Sequence, residues 1–151
     1  MRYIGKPDNE RPRSAVFLYI FNKDFSKILL VKRNKEKRKK WGFDWGTVGG
    51  KIDLGENSRE ACVREVKEET GLEIEAEDLN FAFFEEKPKE DRDLLIHFFY
   101  SVSIDENTEV NLNEESEEFR WFGIENLPES MIDTEERIRK VLESIQTPDN
   151  A

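Results

Sequence analysis

The chain has 151 residues, 36% hydrophobic and 38% charged, with a net charge of −10 and one cysteine. That length suits a single domain over residues 1–151, with flexible ends expected at 1–12 and 147–151, and the charge argues against a general nucleic-acid binder, which needs a basic footprint. Cys62 alone allows no internal disulfide and no cysteine-rich metal site, and no stretch approaches the roughly 18 apolar residues of a membrane span or the core of a signal peptide, so a cytoplasmic setting is expected.

In chain order, "RSAVFLYIF" (Arg13 to Phe21) and "KILLVKR" (Lys27 to Arg33) are β-rich runs joined by the turn chemistry of "NKDFS". The run "KRNKEKRKK" (Lys32 to Lys40) then holds seven bases and one acid. It reads either as a solvated, mobile hairpin loop or as an electrostatic guide for an anionic substrate. "FDWGTVGGKI" predicts a short strand opened by glycines. A helix follows, with Asn57 as N-cap, Glu60 three residues on and Gly71 as its stop.

"LEIEA", "LNFAFFEE" and "DLLIHFFYSVSI" come next as strand candidates. In the last, Leu94, Ile96, Phe98, Tyr100 and Val102 alternate onto one face, as a half-buried strand requires. "EFRWFGI" predicts another strand. The final "DTEERIRKVLESI" carries Ile138, Val141, Leu142 and Ile145 at helical spacing. Strands, helix, strands and helix imply an α/β fold with a sheet between helices.

The middle helix is unusual in its acids. Glu65, Glu68 and Glu69 stand at i, i+3 and i+4, on one side of the helix. Crowded carboxylates repel one another, and a cation relieves that cost. Hard oxygen ligands suit Mg²⁺ or Mn²⁺, which would bridge the acids to substrate phosphates. A plain solvated acidic face is the alternative on these three residues alone.

The wider spacing is more specific. From Gly50 the chain reads glycine, five residues, Glu56, seven residues, then Arg64-Glu65-Val66-Lys67-Glu68-Glu69-Thr70-Gly71-Leu72. This resembles the signature of the Nudix hydrolases, Gx5Ex7REUxEExGU with U aliphatic, at every defined position. The resemblance implies that family's α/β/α sandwich with a mixed sheet, and hydrolysis of a nucleoside diphosphate linked to a group X. It implies Gly50, Glu56, Glu65, Glu68 and Glu69 as metal ligands. Glu65 or Glu68 would also serve as a proton acceptor, with Arg64 orienting a glutamate and Lys51 reaching phosphate oxygens. Val48 stands where many family members carry proline, a departure that alters the loop and removes no ligand.

Substrate choice is expected to lie outside the signature. Among Glu114, Glu115, Glu117 and Glu118, Glu115 is taken as the added catalytic acid. Arg33 is taken as a substrate contact, and Trp41, Phe43 and Trp45 either stack on a nucleobase or fill core. His97, the one histidine, is expected in the core, and Cys62 in packing. "GGK", "FRWF" and "ENLPESM" are similar to the branch that hydrolyses oxidised or non-standard nucleoside triphosphates. The expected substrate is a small nucleotide, triphosphates ahead of ADP-ribose or nucleotide sugars. A silent nucleotide sensor and an RNA 5′-end hydrolase guided by Lys32 to Lys40 stand as rivals, and a homodimer is an admissible assembly.

Overall fold

The computed structural model describes residues 14–89 and 92–146; the expected flexible ends and the Leu94 side chain lie outside the described residues. Strands β1 (Ala15–Phe21) and β2 (Lys27–Arg33) form the centre of a seven-stranded mixed sheet. β3 (Trp45–Gly46) and β7 (Ser116–Gly123) pair with β2, whereas β4 (Val48–Lys51) pairs with β1. β6 (Arg92–Ser103) runs parallel to β1, from Ala15 against His97 to Phe21 against Ser103, and β5 (Asn80–Lys89) closes the far side antiparallel.

The two-residue period of β1 and β2 sends alternate side chains to opposite faces. Val16, Leu18, Ile20, Leu29 and Val31 pack with Ala61, Cys62 and Val66 of helix α2 (Ser58–Thr70). Tyr19, Phe21, Ile28 and Leu30 pack on the other side with Ile138, Val141 and Leu142 of helix α3 (Glu135–Gln146). The result is the expected α/β/α sandwich. Burial of each such aliphatic side chain is worth about 1.5–3 kcal/mol, so the two layers together hold the sheet as a stiff platform. No helix among the described residues is long and apolar enough to cross a membrane.

Helix α2 carries the capping box that its sequence predicts. The Asn57 side chain accepts from the Glu60 amide and the Glu60 carboxylate accepts from the Asn57 amide, while Gly71 ends the helix at φ +74°.

Three expectations are corrected. The basic run is not a loop: Lys35–Trp41 forms helix α1, capped by Asn34, whose side chain accepts from the Lys37 amide, and ended by Gly42 at φ +79°. It has no buried residue, so no apolar period betrays it; caps and the Arg38–Glu117 ion pair (2.9 Å) hold it in place of packing. "LEIEA" is not a strand. Leu72 and Ile74 turn into the core, and a single 3-10 turn covers Ala76–Asp78. Nor is the later part of β6 half-buried: Tyr100 and Val102 face α2, and Phe99 on the other face is equally buried under α3, whereas Leu95, Ile96, His97 and Phe98 are only partly buried.

Ile138, fully buried between α3 and the sheet, should lose about 2–5 kcal/mol on replacement by alanine, as large-to-small core changes do. Trp41→Ala, at an exposed position, should stay within about 0.5 kcal/mol of wild type. Urea denaturation of the two variants reads the contrast directly.

Candidate active site

Arg64 on α2 gathers the acids around it. Its Nη2 and Nε donate to the two oxygens of Glu56 at 2.6 and 3.1 Å, and its Nη1 donates to Glu65 Oε1 at 2.9 Å. Nη1 also lies 3.4 Å from Glu68 Oε2, and Nη2 donates to the Lys51 carbonyl at 3.0 Å. One planar guanidinium thus ties α2 to the loop before it and to the end of β4, a fork that lysine cannot reproduce.

Glu65, Glu68 and Glu69 do not share one environment. Consecutive helix residues are about 100° apart, and α2 lies flat on the sheet. Glu68 therefore looks outward, its side chain 55% exposed, while Glu69 turns inward at 4%. Glu69 Oε1 accepts from Arg33 Nη1 at 2.8 Å and its Oε2 accepts from the Gly49 amide at 2.9 Å. Gly50 lies directly beneath Glu65: a Cβ built there would fall 2.5 Å from the Glu65 carboxyl carbon. Only glycine leaves that space open.

A pocket of about 610 Å³ opens beside these groups. Gly50, Lys51, Glu65, Glu69 and Arg33 line one side, and Trp41, Phe43 and Lys37 line the mouth. Of the four candidates Glu114, Glu115, Glu117 and Glu118, Glu115 alone reaches it. Its carboxylate accepts from Lys37, whose hydrogen bond holds Glu115 below the usual carboxylate range. Glu117 instead pairs with Arg38 and Glu118 with Arg120. Arg64, Glu56 and Glu68 stand outside the lining, behind or beside Glu65.

The aromatic trio divides. Trp41 and Phe43 are exposed at the mouth, whereas Trp45 is buried with its ring edge-on to Phe122 at 4.9 Å. His97 is not enclosed in the core: it is half-buried, packs edge-on against Phe17 at 5.2 Å and lines the pocket. No sequence signal marked this contact: β1 pairs with β6 from Ala15 against His97, and only that register brings Phe17 and His97 together.

A smaller annex of about 300 Å³ shares Phe17, His97 and Ile132 with the pocket. Within it the Tyr19 hydroxyl donates to Asp133, which also accepts from Arg137 Nη1 at 2.7 Å. No sequence signal marked this network.

The electrostatics follow from burial. Glu65 is pushed up to about 7, first by burial and then by the charges of Glu69 and Glu68, against the lowering effect of Arg64. Burial likewise raises Glu69, opposed by Arg33, and the Arg64 hydrogen bond lowers Glu56. Among the described residues no three acidic or imidazole groups converge at ligand spacing in this arrangement. The donor set still fits a hard divalent cation: it is all oxygen, two of its acids are raised chiefly by burial, and the Gly50 backbone is bare beside Glu65.

Comparison with known proteins gives a consistent picture. The NUDIX domain family model matches residues 11–145. An ADP-ribose pyrophosphatase from Methanocaldococcus jannaschii is 31% identical over 120 residues, covering 80% of this chain and 68% of that protein. The m7GpppN-mRNA hydrolase of Saccharomyces cerevisiae is 30% identical over 112 residues, 74% of this chain but 11% of that one. A MutT NUDIX hydrolase structure from Burkholderia pseudomallei superposes with a TM-score of 0.68 at 24% identity, over 90% of this chain and 99% of the other. The chain spans well under a third of some curated relatives it matches, 11% of the yeast hydrolase and 27% of a Myxococcus xanthus octanoyltransferase.

The raised Glu65 carboxyl makes stability depend on pH. A group whose folded value lies above its ordinary 4.5 binds its proton more tightly when folded, so its contribution falls as pH rises from about 4.5 to about 7. In chelator-treated protein, Glu65→Gln should therefore gain Tm relative to wild type across that window. The difference should level off above it, as thermal melts at stepped pH would record.

Proposed function

Since the chain belongs to the Nudix family, we propose that it is a divalent-metal-dependent pyrophosphohydrolase of nucleoside diphosphates linked to X, with nucleoside triphosphates ahead of ADP-ribose and nucleotide sugars. One observation carries the reading: Glu65, Glu69, Glu115, Gly50 and Lys51 meet in a single pocket whose mouth is aromatic. Acids and a bare glycine suit cation-bound phosphates, and exposed Trp41 and Phe43 suit a base.

Mg²⁺ or Mn²⁺ held by the Gly50 carbonyl and by Glu65, Glu68 and Glu69, with Glu56 behind them, would supply positive charge against the phosphates and acidify a water. Lys51 at the rim draws in the polyphosphate. Trp41 and Phe43 offer faces to the base opposite Phe17 and His97. Arg64 fixes Glu65, and the near-neutral Glu65 can take a proton at physiological pH. Glu115, kept ionised by Lys37, is a second acceptor across the pocket. With a triphosphate, water oxygen bonds to the α-phosphorus, the α–β bridging bond breaks, and pyrophosphate leaves as the water proton passes to a carboxylate. The single buried cysteine, its thiol pushed up to about 12 by burial, fits a reducing cytosol and takes no part.

A second reading rests on α1. Lys35, Lys39 and Lys40 are exposed on the helix whose Lys37 and Trp41 line the pocket, and they have no carboxylate partner among the described residues. A basic helix with an exposed tryptophan is the kind of surface that attracts a single strand. The yeast relative is an mRNA hydrolase by name. An RNA 5′ end would then be the substrate. Turnover of a 5′-triphosphorylated oligoribonucleotide that fell steeply with salt, beside salt-insensitive mononucleotide turnover, would favour it.

Glu68→Gln keeps the side chain's shape and loses its charge. It should lower kcat by about 10²-fold or more, the scale of removing one preorganised electrostatic group, with an unchanged melting curve. Wild-type turnover in that variant would remove Glu68 from the site. Product analysis decides the substrate: nucleoside monophosphate with pyrophosphate supports a triphosphate, and AMP with ribose phosphate supports ADP-ribose.

A further inference from the structure

Arg33 sits at the end of β2, where the pairing with β7 shifts register between Lys32 and Arg33. Its guanidinium enters the gap between sheet and α2, with the side chain 18% exposed. Nη1 donates to Glu69 Oε1 at 2.8 Å and Nη2 donates to the Thr47 carbonyl at 2.7 Å. The second Glu69 oxygen takes the Gly49 amide. Arginine, carbonyl, amide and carboxylate therefore close a ring through β2, the Thr47–Gly49 segment and α2.

At Gly49 that ring adds to the anchoring that the buried Val48 side chain supplies next to it. A Cβ on Gly49 would lie 2.3 Å from the Val16 carbonyl, so this backbone is pressed onto β1 with no side chain of its own to anchor it. Pairing with β1 holds one edge of the segment, and the ring holds the other. The next residue, Gly50, lies beneath the Glu65 carboxyl, where an added Cβ would fall 2.5 Å from the carboxyl carbon. Gly49 and Gly50 share a peptide, so whatever sets the Gly49 backbone also sets what lies under Glu65.

We propose that Arg33 is a positioning residue that sets the Gly49–Gly50 backbone, and through it Glu65, instead of contacting substrate phosphate. Both halves of its fork are already used, one on a buried carboxylate and one on a buried segment's carbonyl. Arg33 in turn is the cation that faces the buried Glu69 carboxylate, 2.8 Å away. Lysine, a single point of charge, can serve Glu69 or Thr47 but not both.

The kinetic arm of the test rests on the pyrophosphohydrolase reading; the exchange arm does not. Arg33→Lys is read by NMR hydrogen exchange at the Gly49 amide, and by kcat and KM on the best substrate of the panel. The expected result is about tenfold or faster exchange at Gly49, with the Leu18 amide in the sheet centre unchanged. With it, kcat should fall about 10- to 100-fold, the scale of losing a group that orients a ligand, while KM holds. Unchanged exchange at Gly49 overturns the proposal whatever the kinetics. A raised KM at constant kcat also overturns it and makes Arg33 a phosphate contact. Inactivity of the wild type on every nucleotide would sink the functional reading and leave the exchange result to stand alone. Arg33→Met, which keeps the stem and drops the fork, is measured beside it and should show the same two changes.

Discussion

Carboxylates crowded against a sheet repel one another and lose hydration, and the site depends on how that cost is met. Two arginines meet it in different ways. Arg64 sits half in solvent and binds the outer acids, Glu56, Glu65 and Glu68, through one fork. Arg33 sits deeper and neutralises only Glu69. The remaining imbalance falls on Glu65, which is buried enough to be raised toward neutrality yet still opens onto the pocket. A site poised to accept a proton or a cation is the direct outcome of two positive charges among four negative ones.

Those arginines work only because their attachment points do not move. Arg33 leaves from a strand buried on both faces, and Arg64 from a helix whose apolar side, Ala61, Cys62 and Val66, is locked into the core. The glycines between them contribute in the opposite sense. Gly49 and Gly50 carry no side chain because the backbone must lie against β1 on one side and under Glu65 on the other. Rigid elements supply the charges, and a featureless segment lets them close on it.

Much of the fold was legible because its layers are periodic. Alternation in β1 and β2, the capping box of α2 and the apolar stripe of α3 each follow from local rules, and the spacing from Gly50 to Leu72 marked the acids. What escaped was set by contacts distant in sequence. Helix α1 has no apolar face, so nothing in its pattern separates it from a loop; its helical state shows in Asn34 and Gly42, two caps that are weak signs without the run between them being apolar. The inward turn of Glu69 depends on how α2 lies on the sheet, which no i, i+4 spacing encodes. The Phe17–His97 wall depends on parallel pairing between strands some eighty residues apart in sequence. Of four similar neighbours Glu115 is the one that lines the pocket, and what holds it there, an ion pair with Lys37 on an unforeseen helix, was not readable.

The same helix resolves an apparent conflict in the charge. A protein of net charge −10 should repel a polyphosphate, and the pocket floor is itself acidic. Long-range repulsion is screened over about 8 Å at physiological salt, so what a ligand meets at the mouth counts for more than the total. There it meets Lys51, with α1 close by, whose Lys35, Lys39 and Lys40 have no carboxylate partner among the described residues. Inside lie Glu65 and Glu69, which an anion can approach only with cations to share. A basic rim over an acidic floor is the arrangement on which the proposed metal-dependent function rests, with Trp41 and Phe43 as apolar surface at its edge.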